Sequence, residues 1–297
     1  MNNLPTNTLG RTGLEITQLG YGGAAIRGKV HGGSEISDKE AEQILHSVLD
    51  SGINFIDTAP DYGVSEDLIG KFISHRRDDF YLATKCGCHN DSVGTPLDPG
   101  HQWTAEQFHH NINESLRRLK TDYVDLIQMH NPTVEEVEQN NLIEVLQEIK
   151  DLGKTRFIGV SSTAPDLIPF VEMGVFDTFQ IPYTLLDRVH EEMISEAAKS
   201  GAGIIIRGGI PGAHTERAKQ WWPSWERAQL NELLGDMSPY QFVLRFTLTH
   251  PDCHTKIMGS KDLSHQQLNI TAAREGPLPK ALYEEVLKRL AEISDSQ

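Results

Sequence analysis

Apolar positions along this chain follow two alternating rhythms. Short strand-like runs are each followed by a segment with helical spacing. In 142–152 the apolar residues Leu142, Val145, Leu146, Ile149 and Leu152 repeat at intervals of three, four and seven. Phe108, Ile112, Leu116 and Leu119 form a similar stripe within 104–119. The first strand is expected near 17–22, and seven more begin near Ile53, Phe80, Tyr123, Thr155, Thr178, Gly203 and His254. Ahead of them, 8–16 reads as a hairpin turning at Arg11-Thr12-Gly13.

Punctuation supports the alternation. Ser37-x-x-Glu40, Thr104-x-x-Gln107 and Ser238-Pro239-x-Gln241 read as capping boxes, the last with proline at the first helical position. Gly52, Gly153 and Gly201 each stand after a helix and before a strand, where a left-handed C-cap is wanted. Eight strand–helix alternations with short connections argue for a parallel sheet. The expected fold is α/β: a (β/α)8 TIM barrel with an N-terminal β-hairpin lying as a lid across its bottom. A C-terminal extra helix, 278–293, follows the eighth unit. At 297 residues such a barrel is one domain, 1–297.

Composition narrows the function. With 38% hydrophobic and 23% charged residues the chain suits a substantial core. The net charge of -15 disfavours nucleic acid and anionic lipid, while leaving room for a local basic pocket that takes one nucleotide cofactor. The opening Met1-Asn2-Asn3-Leu4-Pro5 has no secretory pattern, and no run of about 18 apolar residues occurs. Three cysteines, Cys86, Cys88 and Cys253, do not make a disulfide framework. A cytoplasmic location is expected.

In a parallel barrel, chemistry gathers where strands end. Asp57 ends Ile53-Asn54-Phe55-Ile56-Asp57, Lys85 ends Tyr81-Leu82-Ala83-Thr84-Lys85, and His130 ends the run from Val124. Strand parity permits these three to point into one barrel mouth. Tyr62 follows Asp57 by five residues. Each alone has an ordinary reading: a structural Asp–Lys pair, a histidine satisfied by backbone, a packing tyrosine.

The ordered set resembles the aldo-keto reductases. The resemblance runs from Leu9-Gly10-Arg11-Thr12-Gly13-Leu14 to Asn269. It is carried by Asn54-Phe55-Ile56-Asp57-Thr58-Ala59-x-x-Tyr62-Gly63, the strand-ending Lys85, Ser115-Leu116-Arg117-Arg118-Leu119 with Asp122-Tyr123-Val124-Asp125, and Gly159-Val160-Ser161. It implies a catalytic tetrad of Asp57, Tyr62, Lys85 and His130, and the reduction of aldehydes or ketones with NADPH. The chemistry is coherent. Hydride addition to a carbonyl leaves an alkoxide that needs a proton, and a free tyrosine, with a pKa near ~10, is a weak acid for that task. A neighbouring ammonium, Lys85, lowers that pKa; Asp57 holds Lys85 charged, and His130 orients the substrate oxygen.

By the same resemblance Ser161, Ser162 and Gln180 bind the nicotinamide carboxamide, with Ser162 where relatives often carry Asn. Arg207-Gly208-Gly209-Ile210-Pro211-Gly212 offers backbone N–H groups from Gly208, Gly209 and Gly212 for a pyrophosphate. Arg207 stands where many relatives have an aromatic residue beneath the nicotinamide. It is expected either to stack there or to turn to a phosphate or carboxylate. Gly259, Ser260 and Lys261, at the start of a helix reaching Asn269, suit an adenosine 2′-phosphate; His265 stands where relatives often have Arg.

Other features resolve more plainly. Gly20-x-Gly22-x-x-Ala25 matches a dinucleotide fingerprint, but no helix opens there, so a Rossmann reading is rejected and the loop is assigned to the substrate side. Cys86-Gly87-Cys88-His89 lacks metal-ligand spacing, and no metal is expected. The long stretches 87–103 and 212–236 are expected to set specificity. In the second, Trp221, Trp222 and Trp225 either cap an apolar substrate or, for at least two of them, pin the insertion to the rim. Two rival functions remain: a noncatalytic NADP-binding barrel serving as redox sensor or partner subunit, and a Schiff-base lyase using Lys85. The small-molecule carbonyl substrate and the oligomeric state are not legible.

Overall fold

A computed structural model describes residues 3–89, 100–210 and 218–294. Its strands are β1 (Thr6–Thr8), β2 (Glu15–Thr17), β3 (Leu19–Gly22), β4 (Phe55–Asp57), β5 (Tyr81–Cys86), β6 (Val124–His130), β7 (Thr155–Ser161), β8 (Thr178–Pro182), β9 (Gly203–Arg207) and β10 (Thr255–Met258). β3 to β10 pair in parallel and close into an eight-stranded barrel, β10 returning to β3. Helices follow the strands around the outside, as the two rhythms predict.

β1 and β2 form the antiparallel hairpin, with Thr6 opposite Thr17. Its Leu9, Leu14 and Ile16 are buried against Phe55, Ala83, Leu126 and Ile205, all from barrel strands. The hairpin thus plugs the end where the strands begin. Arg11 N donates to Gly201 O at 2.7 Å. Gly10 sits at φ +48°, and a Cβ there would fall 2.3 Å from Gly203 N, so the turn tolerates no side chain.

Inside the barrel, residues alternate in layers. Above the apolar layer containing Phe55, Ala83 and Leu126, the next inward positions along the same strands are Asp57, Lys85 and Gln128. The sheet register sets Lys85 opposite Gln128, and Ser161 opposite Gln180. A hydrophobic floor therefore gives way to a polar mouth within one strand repeat.

The capping signals fared differently. Ser37 and Ser238 make complete capping boxes before the helices Asp38–Asp50 and Pro239–Leu248. Thr104 accepts from Gln107 N, but Gln107 turns its side chain to Cys88 O at 2.6 Å instead of closing the box. The C-terminal helix is Lys280–Ser294, two residues later than expected at its start. Pro277 and Pro279 flank Leu278 and disfavour helical geometry there. After β3 comes a short 3-10 turn, Gly23–Ile26, and the first α-helix opens only at Asp38, so the immediate helix that a Rossmann reading requires is missing. Among the described residues no helix is long and apolar enough to cross a membrane.

Candidate active site

The polar layer is organised by one carboxylate. Asp57, 1% exposed, accepts a 2.7 Å hydrogen bond from Lys85 Nζ on one oxygen. Its other oxygen accepts from Gln128 Nε2 at 3.0 Å and Gln180 Nε2 at 2.8 Å. Lys85 is fully buried and also donates to Thr58 O at 3.0 Å. Burial works against the Lys85 charge, but Asp57, then Tyr62, outweigh it and raise its pKa above the usual lysine value. An ammonium held this way is a poor amine nucleophile, which removes the support for a Schiff-base lyase.

Tyr62 follows on the loop beyond β4, in the turn Ala59-Pro60-Asp61-Tyr62, where Tyr62 N donates to Ala59 O at 3.1 Å. Lys85 Nζ lies 5.2 Å from the centre of its ring. The expected lowering of the phenol by Lys85 is present, but burial is the larger effect and the net direction is upward. The phenol therefore holds its proton more firmly than a free tyrosine. The His130 ring stands edge-on to Tyr62, with centres 6.0 Å apart.

His130 Nδ1 lies 3.2 Å from Cys88 Sγ and 3.4 Å from Asp61 Oδ2. Burial acts to raise the Asp61 carboxyl, but the hydrogen bond and charge of His130, with Lys85 and His101 beyond, hold it down at about 2. Neither Asp61 nor His101 carries a sequence signal that connects it with this place.

A cleft of about 500 Å³ opens beside these groups. Of the expected residues, Asp57, Tyr62, Gln180, Arg207, Gly208, Gly209, Gly259, Ser260, His265 and Asn269 line it. Gly22, Ala24, Ala25, Arg27 and Tyr240 also line it, so the loop after β3 faces the pocket. Gly259 is required there, since a Cβ would lie 2.3 Å from Gly22 O. Gly208 (φ +86°) and Gly209 meet no protein atom within 4 Å of a built Cβ, which leaves their backbone open to a ligand. Gly212 lies outside the described residues.

Lys85, His130, Ser161, Ser162 and Lys261 are not among the lining residues. Ser161 Oγ bonds Asn131 Oδ1 at 3.5 Å, and Ser162 Oγ bonds Thr163 O at 3.4 Å; both residues are buried. Arg207 Nη2 donates to Asn131 Oδ1 at 3.1 Å, so the guanidinium is tethered across the mouth to the residue that follows β6. Lys261 Nζ donates to Ser34 Oγ. The helix Leu263–Glu275 is capped by Asp262, whose carboxylate accepts from Ser264 N and His265 N at 2.7 and 3.2 Å. A negative charge thus sits at the helix start where a 2′-phosphate was expected.

Two further residues escaped the sequence. Gln128 shares the inward face of β6 with His130, and that parity was a usable signal. Lys256, 1% exposed, reaches the carbonyls of Gly208 and Tyr183 from β10, the latter at 3.4 Å. A lysine inside an otherwise apolar strand was its only mark. Trp221 and Trp225 are buried and stacked with centres 5.4 Å apart, and Trp225 packs on Phe242 and bonds Asn231 Oδ1 at 2.9 Å. Trp225 thus pins the insertion against the helix Pro239–Leu248, with Trp221 stacked on it.

Comparison with known proteins agrees with the geometry. The sequence model of the Aldo/keto reductase family matches residues 18–219. An uncharacterized oxidoreductase, YqkF, of Bacillus subtilis (strain 168) is 30% identical, over 95% of this chain and 94% of its own length. L-galactose dehydrogenase of Arabidopsis thaliana is 27% identical, over 93% and 90%. The structure of aldo-keto reductase AKR11C1 from Bacillus halodurans, in its holo form, superposes with a TM-score of 0.83 and 26% identity, over 97% of this chain and 96% of that one.

Proposed function

The chain belongs to the Aldo/keto reductase family, and from that premise we propose that it reduces aldehydes or ketones to alcohols by hydride transfer from NADPH. The observation that carries the reading is the buried Asp57–Lys85 pair, 2.7 Å apart, set under Tyr62 at the wall of a cleft that the open Gly208-Gly209 turn also lines. When bound, the nicotinamide supplies the hydride. Every other part of the reaction falls to side chains of this chain. Tyr62 delivers its phenolic proton to the developing alkoxide. Lys85 stabilises the phenolate left behind, at close range and without solvent. Asp57 keeps Lys85 charged and in place, and His130 orients the carbonyl oxygen. Gln128 and Gln180 fix Asp57 from the other side.

The open backbone of Gly208 and Gly209 fits a pyrophosphate, with Lys256 below it. Ser260, His265 and Asn269 line the adenosine end. There Lys261 favours a 2′-phosphate and the Asp262 carboxylate opposes it, so the preference for NADPH over NADH is modest. Ser161 and Ser162 serve the carboxamide once their present bonds, to Asn131 and Thr163, are exchanged.

Tyr62→Phe tests the reading. General acid catalysis contributes about 10²–10⁴-fold, so kcat for reduction should fall by that factor while NADPH affinity, followed by its fluorescence, stays within about threefold. A kcat near wild type, on a substrate whose chemical step limits the rate, would overturn it.

A further inference from the structure

Four metal donors from distant parts of the chain meet beside the cleft. Asp61 follows β4, Cys88 and His101 lie beyond β5, and His130 ends β6. One ligand atom from each lies within 4.8 Å of all the others. Two edges of this group already have the length a metal would impose: 3.2 Å from His130 Nδ1 to Cys88 Sγ and 3.4 Å from His130 Nδ1 to Asp61 Oδ2. Tetrahedral zinc, with bonds of about 2.0–2.3 Å, separates its donors by about 3.3–3.6 Å.

We propose that Asp61, Cys88, His101 and His130 form a binding site for a zinc-class divalent transition ion.

The donors are held in place by independent contacts. The Cys88 carbonyl accepts from Gln107 Nε2 at 2.6 Å and Asn111 Nδ2 at 2.9 Å. Cys88 and His101 pair as an antiparallel β-bridge, which sets two donors across from each other. The His101 ring stacks on Trp103, 5.3 Å between centres with planes 7° apart, and presents its edge to His130 at 5.0 Å. Trp103 in turn packs so closely over Gly87 that a Cβ there would lie 2.1 Å from its ring. No pair of donors is more than 4.8 Å apart, so closing the site asks for a shift of about 1 Å at most along any edge.

The donor chemistry selects the ion. One sulfur, two imidazole nitrogens and one carboxylate exclude magnesium and calcium, which take oxygen. One thiolate and one carboxylate balance a divalent charge. The neighbouring Lys85 ammonium is already paired with Asp57. His101 is exposed and gives the ion an entry route from solvent. Metal at Nδ1 of His130 leaves the proton of the neutral ring on Nε2, which fixes its tautomer.

The test needs no enzymatic assay and stands apart from the carbonyl-reduction reading. Full-length protein, stripped with a chelator, is titrated with cobalt(II), and with zinc(II) against a chromophoric chelator. The expected result is one ion per chain, with a thiolate-to-cobalt charge-transfer band, tetrahedral visible absorption and displacement by zinc. Cys88→Ser should abolish the charge-transfer band. His101→Ala, at an exposed position outside the proposed catalytic groups, should weaken zinc at least about tenfold, as even outer contacts of metal sites do. Failure to saturate at one ion, a cobalt spectrum without the thiolate band, or wild-type zinc affinity in His101→Ala would each overturn the site.

Discussion

Asp57→Asn should unfold this barrel far more readily than a change of one oxygen to an NH2 suggests. Lys85 has no exposure and Asp57 only 1%. One carboxylate oxygen meets an ammonium at 2.7 Å, and the other meets two amide groups at 3.0 and 2.8 Å. An asparagine has one acceptor. In either orientation its NH2 confronts donors, and the Lys85 charge loses its counter-ion. Removing one partner of a buried pair costs about 3–5 kcal/mol. At about 2.1 cal/mol/K per residue, a chain of 297 residues loses roughly 5–8 °C in Tm for that cost. Lys85→Met should cost less, because Gln128 and Gln180 still solvate the carboxylate. The double variant Asp57→Asn/Lys85→Met removes both the stranded charge and the donor conflict with it. It should be more stable than Asp57→Asn alone, with a coupling of roughly 2–3 kcal/mol. Equilibrium urea unfolding of the four proteins measures this. The reasoning is refuted if Asp57→Asn costs under about 1 kcal/mol, or if the two single changes add within about 0.5 kcal/mol.

Three shorter predictions test other parts. Lys261→Ala should weaken NADPH relative to NADH, and Asp262→Ser, which keeps an N-cap, should strengthen it; the dissociation constants of both cofactors for each variant read the two shifts. Glu66 is buried, and burial raises its pKa above the usual 4.5 despite the hydrogen bond from Thr84 and the charge of Arg118. The folded state thus holds this proton more tightly than the unfolded one, and its contribution to stability is lost as pH rises from about 4.5 through the folded value. Glu66→Gln escapes that loss, so its stability relative to wild type should climb between pH 4.5 and 7 in urea unfolding, as the linkage relation requires; a constant difference would contradict it. Gly70→Ala would place a Cβ 2.0 Å from Arg118 O, and forcing apart the helices Ser65–Phe72 and Ala105–Leu119 should cost about 1–3 kcal/mol in the same assay.

The barrel was legible because its signals are local. Helical stripes, glycines at φ +92°, +74° and +87° after three helices (Gly52, Gly153, Gly201), and the Ser37 and Ser238 boxes each depend on neighbours in sequence. Thr104 shows the limit: its partner Gln107 found a better acceptor in Cys88, a contact between elements that no short window contains. The same distinction divides the site. Strand parity placed Asp57 and Lys85 in one layer, and the structure joins them. It also placed Gln128 there, but a glutamine within a strand carries no chemical flag. The groups around His130 (Asp61, Cys88 and His101) come from three other stretches of the chain, so Cys88 read with its sequence neighbours Cys86 and His89 looks incidental. At the helix start a 2′-phosphate and a capping carboxylate want the same backbone N–H groups, and the Asp262 carboxylate already takes those of Ser264 and His265, a competition that the Ser260-Lys261 pair does not reveal in sequence.

That competition bears on how so acidic a chain could take an anionic cofactor. A net charge of -15 repels phosphate at long range, but charges beyond about 8 Å are largely screened at physiological salt. Affinity must therefore come from groups within contact of the ligand. The Gly208-Gly209 turn has open backbone on its cleft side, and Lys256 is buried against the Gly208 carbonyl behind it. Drawing that carbonyl down to Lys256 fixes the peptide plane that follows, so the Gly209 N–H is oriented before any ligand arrives and costs little to order on binding. A charge held in a low-dielectric floor also acts on a phosphate more strongly than the same charge on the surface. On the proposed reading, the pyrophosphate end is preorganised by the buried Lys256, whereas the adenosine end is balanced between the exposed Lys261 and Asp262. On that reading, overall affinity would be set at Gly208-Gly209, and the choice between NADPH and NADH at the Lys261–Asp262 pair.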